Sequence, residues 1–162
     1  MNLVYVGKIV NTHGLKGELR ILSTFSYKEK IFVPGFIFYV NEKPYEIVTY
    51  RTHKNYDMVT FKGFSDINDV LPLKGEDVYF NRTDLDSNLI LDSDLIGFDV
   101  ITSTSKKGKL ISIIDGIKYD YLLVSILDKT YYVPKIDEFI SKIDIQNKTI
   151  YIHEIEGLFD EN

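Results

Sequence analysis

The chain has 162 residues, 44% hydrophobic and 14% aromatic, and a formal charge of -5 from 19 Lys+Arg against 24 Asp+Glu. That composition supplies enough apolar side chains for a packed core and excludes global disorder. The absence of Cys removes disulfides, thiolate chemistry and all-Cys zinc sites, and fits a reducing intracellular compartment.

The amino terminus, MNLVYVGKIV, lacks the basic segment and long apolar core of a signal peptide. No run in the chain approaches the roughly 20 apolar residues needed to span a bilayer. The expectation is a soluble, cytoplasmic protein with no membrane partner. The first element, LVYVGKIV, is a strand, and ELRIL is the second. Between them His13, Gly14, Lys16 and Gly17 crowd into five positions. A P-loop needs four residues between its first Gly and a Gly-Lys-Ser/Thr, then a helix; HGLKGE offers neither, and a strand follows. The two glycines instead allow positive φ and a tight hairpin-like turn, leaving His13 and Lys16 near its rim.

Further strand-like runs follow in order: FIFYV, YEIVTY, MVTFK and DVYF, then FDVIT, KLISII, YLLVSIL, TYYV and TIYIHEI. Each is bounded by Gly, Pro, Asn, Asp or Lys clusters, which predicts an all-β chain. Helix signals are few. SDINDVL reads as one turn with Ser65 as N-cap, Asp66 in the first turn and Pro72 as the stop. PKIDEFI, from Pro134 to Ile140, reads as a second, with Pro134 at its first position.

Residues 81 to 94, NRTDLDSNLILDSD, interrupt the pattern with turn-formers and acids. The division expected is residues 1–83, a linker at 84–93 and residues 94–162. About six short strands lie on each side, and a sheet that small removes its edges by curling, so two small β-barrels in tandem are expected. Charge changes across the same boundary: 11 Lys+Arg against 9 Asp+Glu in residues 1–83, then 8 against 15 in residues 84–162. The first half is therefore suited to phosphates and the second to a basic protein, unless the asymmetry is a chance difference between two solvated surfaces.

The three histidines, His13, His53 and His153, show no metal-ligand spacing, and no nucleophile elbow surrounds any Ser. No metal, no cofactor and no catalytic residue is expected. Arg51, His53 and Lys54 in YRTHKNYD lie between two strands beside Tyr50 and Tyr56. Basic groups interleaved with aromatics at a loop suit phosphates and exposed bases; the competing reading is a solvated hairpin tip.

Taken together these stretches resemble the bacterial RimM family of ribosome maturation factors. The resemblance rests on Val6 to Ile9, His13 to Glu18 with Arg20 following, Arg51 to Lys54, Phe61 to Gly63, Ile67 to Val70 and Leu73 to Gly75. After the linker, Asp94 to Val100 looks like the first strand of a PRC-barrel, and Gly108 to Leu110, Tyr132 to Pro134 and Glu156 to Leu158 fall where that module expects them. The resemblance implies a translation-factor-like N-terminal barrel, then a PRC-barrel, without enzymatic activity. It also implies a role in assembly of the small-subunit head and in 16S rRNA processing. The partners implied are 16S rRNA and the nineteenth small-subunit ribosomal protein, met by a monomer. Under this resemblance His13, Lys16, Arg20, Arg51, His53 and Lys54 are candidates for ribosome contact. Many family members carry a tandem tyrosine just before the PRC-barrel; here the matching positions are Leu89, Ile90, Leu91 and Asp92, so aliphatic contact through Leu89, Ile90 and Leu91, or contact by other residues, is expected in its place. The alternative function is a general RNA-binding or translation-factor-like module acting on mature ribosomes.

Overall fold

The computed structural model describes residues 1–159. These divide into two compact units, Met1–Leu89 and a second that begins at Ile90, each built around a six-stranded sheet.

In the first unit the strands are β1 (Leu3–His13), β2 (Glu18–Ser23), β3 (Ile37–Val40), β4 (Lys43–His53), β5 (Tyr56–Phe61) and β6 (Asp77–Asn81). They close into a barrel in the order β1-β2-β5-β4-β3-β6. Closure follows from the long first strand, which pairs with β2 on one side and β6 on the other. Its ladders shift register between Ile9 and Asn11 and between Tyr5 and Gly7, bulges that bend the strand around the core. At Gly7 the strands approach so closely that a Cβ would lie 2.3 Å from the Leu22 carbonyl oxygen. No other residue fits there without backbone movement. Alternation sends Leu19, Ile21, Phe38, Val40, Val59 and Phe80 inward, all fully buried.

Two short helices complete this unit. Helix α1 (Lys28–Ile31) buries Ile31 and places Lys28 Nζ 2.7 Å from Asp57 Oδ2, at an angle that makes it an ion pair without a hydrogen bond. The other Asp57 oxygen accepts from the Tyr50 hydroxyl at 2.6 Å. Helix α2 (Ile67–Val70) is capped by Asp66, whose carboxylate accepts from Asn68 N while Asp69 accepts from Asp66 N. The cap is thus one residue beyond the expected Ser65. Pro72 does not end the run either: Leu71–Leu73 continue as a 3₁₀ turn that tolerates proline at its start.

The second unit holds α3 (Asp92–Leu95), β7 (Asp99–Thr102), β8 (Lys107–Ile114), β9 (Tyr121–Ile126), β10 (Lys129–Pro134), β11 (Ile140–Asp144) and β12 (Thr149–Ile152). Its order is β10-β9-β8-β7-β12-β11, with β12 parallel to β7 and the other pairs antiparallel. Leu95, Val100, Leu110, Leu122, Val124 and Ile150 centre its core. Three local expectations change here. Asp94 to Val100 is not one strand: Asp94 and Leu95 finish α3, Gly97 turns the chain at φ 87°, and β7 starts at Asp99. Pro134 to Ile140 is not a helix. Pro134 ends β10, and a turn with Phe139 N and Ile140 N both donating to Ile136 O delivers the chain to β11, a strand absent from the sequence reading. None of the helices among the described residues is long and apolar enough to cross a membrane.

Candidate functional site

Strand register assembles the site. His13 pairs with Glu18 across β1 and β2, Arg20 with Met58 across β2 and β5, and Arg51 with Met58 and His53 with Tyr56 across β4 and β5. Directly opposed residues in antiparallel strands share a face. Leu19 and Val59 point into the barrel, so their neighbours Glu18, Arg20 and Met58 point out, together with Arg51, His53, Tyr56 and His13. Five of the six expected cations and histidines of this barrel come from strands or turn ends of one outer face. Lys16 joins them from the β1–β2 turn.

That turn is braced from behind. Gly14 and Gly17 take φ 70° and 84°, the left-handed region expected of at least one of them. Leu15 O accepts from Ile67 N at 2.9 Å, and a Cβ on Gly17 would lie 2.2 Å from Phe64 O. Backbone packing against the segment leading into α2 therefore fixes where Lys16 and His13 emerge. At the opposite turn Lys54 itself sits at φ 55°.

Within the face, Arg20 Nη2 lies 2.7 Å from His13 Nδ1, and its Cζ is 5.7 Å from the centre of the Tyr56 ring. The His13 and His53 rings are 5.5 Å apart. Arg51 crosses β5 to hold Glu18 through Nε–Oε2 and Nη2–Oε1 hydrogen bonds of 2.8 and 2.7 Å. Beneath these groups Met58 is completely buried although it belongs to the outer face, and so forms an apolar floor. Lys16 and Lys54 are exposed.

The electrostatics follow from this packing. Arg51 hydrogen bonds lower the Glu18 carboxyl below its usual range; burial opposes this, and the Arg51 charge assists. For His53, burial first and then chiefly the charges of Arg51, Lys54 and Arg20 push the pKa below the ordinary histidine value. Four full positive charges (Lys16, Arg20, Arg51, Lys54) face one carboxylate, which Arg51 already engages. Such a surface attracts anions.

The sequence reading did not single out Glu18, Met58 or the meeting of His13 with His53, because all three depend on pairing between strands about 40 positions apart. The linker residues have surroundings of their own. Leu91 is buried, Ile90 packs against the core of the second unit, and Leu89 O accepts from Arg82 Nη2 at 2.6 Å. With Leu91 closed off, only Leu89 and Ile90, both half-buried, retain surface for aliphatic contact.

Comparison with known proteins places this architecture. Residues 4–85 match the family model described as the RimM N-terminal domain. The ribosome maturation factor RimM of Staphylococcus haemolyticus is 37% identical over 97% of this chain and 99% of its own length. That of Staphylococcus epidermidis is 39% identical over the same shares. A crystal structure of RimM from Pseudomonas aeruginosa aligns at 20% identity with a TM-score of 0.48, covering 95% of this chain and 98% of that one. With a family model across the whole first barrel and relatives at this identity over nearly full length, the chain belongs to the RimM family of ribosome maturation factors.

Proposed function

We propose that this protein binds the small ribosomal subunit or its precursor, assisting head assembly and 16S rRNA processing, with no catalytic step of its own. One observation carries the proposal: strand register and the two turns of the first barrel bring His13, Lys16, Arg20, Arg51, His53 and Lys54 to one outer face, where among the described residues one engaged carboxylate is the counter-charge. That face suits the phosphates of folded rRNA, which is read by shape and backbone charge.

The second unit takes the protein partner, the nineteenth small-subunit ribosomal protein. Residues 90–162 carry 8 lysines against 13 carboxylates, a net -5, which favours a basic partner and repels rRNA at long range. Support for a contact surface comes from the outer side of β8, β9 and β10, where Ile111, Ile114 and Tyr132 are exposed. Tyr121 pairs with Ile114 in register and meets Tyr132 edge-on at 6.4 Å. Aromatic and aliphatic groups in one patch beside Asp115 and Asp120 match an apolar anchor with an acidic margin.

Sedimentation of cell extracts tests the proposal against a module acting on mature ribosomes. The protein is expected to accompany free small subunits and to be absent from polysomes. Accumulation on polysomes would favour the other reading.

A further inference from the structure

We infer that the outer face of β1, β2, β5 and β4 holds a proton-linked subsite for one RNA backbone phosphodiester, with His13 acting as a latch on Arg20. The inference rests on the rRNA-binding proposal above and specifies which groups take a phosphate and under what condition.

A guanidinium has only donors, so in the 2.7 Å contact between Arg20 Nη2 and His13 Nδ1 the imidazole nitrogen accepts. His13 in this arrangement is neutral and carries its single proton on Nε2. Arg20 is otherwise under-used. Its Nε is buried without a hydrogen-bond partner, its plane lies near the Tyr56 ring, and no carboxylate among the described residues pairs with it. A fixed cation with an unmet donor and no counter-charge lacks an anion.

The same hydrogen bond sets a condition on supplying that anion through Nη2. Protonating His13 at Nδ1 would set donor against donor, so the bond breaks and Nη2 is freed. The proton that makes His13 a cation therefore also releases Arg20. His53, its ring 5.5 Å from that of His13, is pushed below the ordinary histidine value first by burial and then by the charges around it, and an anion offsets those charges. A phosphodiester at the edges of the two rings supplies that offset and accepts from both imidazoles and from Arg20. The remaining groups around the site do not replace the histidines in this role. Glu18 is committed to Arg51, Lys16 and Lys54 contribute constant charge, Tyr56 offers its ring, and Asp66 and Asp69 behind the turn are engaged in the α2 cap. Binding RNA thus takes up protons, and affinity rises as pH falls.

The test measures affinity of the full chain for a short single-stranded RNA at constant ionic strength between about pH 8 and about pH 6, the span in which histidines titrate. Each proton taken up is worth at most about tenfold in affinity per pH unit, so a rise of roughly tenfold or more across the range is expected. The His13→Gln, His53→Gln double variant should bind with the same affinity at both ends of the range while its amide spectrum stays native. In the wild type, RNA should move the ring resonances of His13 and His53. Sulfate, whose charge is constant over this range, serves as the free-anion probe and should move the same resonances far more weakly. RNA binding that does not vary with pH, or a pH dependence that survives in the double variant, would overturn the latch while leaving rRNA binding intact. No RNA binding at any pH would overturn both. Sulfate binding without RNA binding would overturn the assignment to an RNA phosphodiester.

Discussion

Glu18 and Arg51 lie 33 positions apart, yet two parallel hydrogen bonds of 2.8 and 2.7 Å join them across β5. The pair restrains a cation that would otherwise face outward, so under the proposed rRNA binding Glu18 competes with phosphate for Arg51. Glu18→Gln is expected to tighten RNA binding and to steepen its salt dependence by up to about one phosphate contact. Because Arg51 is exposed and the pair is screened by solvent, folding stability should hardly change. Fluorescence titrations over a salt series check this; weaker binding in the variant would mean that the pair positions Arg51 for its ligand.

The β1–β2 turn yields a graded pair of substitutions. Gly14 has positive φ but open space around it, whereas Gly17 has positive φ and the Phe64 carbonyl 2.2 Å from where a Cβ would stand. Gly14→Ala should cost ~1–2 kcal/mol from the left-handed backbone alone. Gly17→Ala should cost a further ~1–3 kcal/mol, because strand and α2 segment must part. Urea unfolding followed by amide signals of the first barrel measures both, and equal losses would remove the close-approach argument.

Glu154 gives the second unit an acid limit. Burial alone would raise its carboxyl, but hydrogen bonds from Lys106, Thr104 and Thr102 outweigh this and bring the pKa from 4.5 to about 2. A carboxyl lowered by folding stabilises the folded state above its unfolded pKa, and the contribution is lost as pH falls through the folded value. Stability of the β7–β8 region should therefore be constant above pH 4.5 and decline from there toward pH 2. Hydrogen exchange at Thr104 and Lys106 checks this, and Glu154→Gln should flatten the profile. An unchanged profile in that variant would assign the acid sensitivity to other carboxylates.

What the sequence made legible was local. Alternation and β-branching located eleven of the strands, and HGLKG announced its turn because positive φ is a property of single residues. Ser65 and Asp66 are both competent caps, so composition could not separate them; the reciprocal bond with Asp69 decided it. Pro134 signalled a helix start, but five residues must carry the chain from β10 to β11, and that short span leaves room only for a turn. The strand Ile140–Asp144 escaped notice because its burial does not alternate. The candidate site was legible as two separate basic turns. Their union, with Glu18 engaged and His13 beside His53, depends on the order β1-β2-β5-β4, which local pattern does not encode.

The division of labour between the two units is tested most directly with the triple variant Lys16→Ala, Arg51→Ala and Lys54→Ala. Its binding to free small subunits and to the isolated nineteenth small-subunit ribosomal protein is measured side by side with the wild type. A basic face on the first barrel and a protein-binding face on the second predict selective loss of subunit affinity, with a shallower salt dependence and undiminished binding of the ribosomal protein. Equal loss of both, or loss of neither, would contradict it.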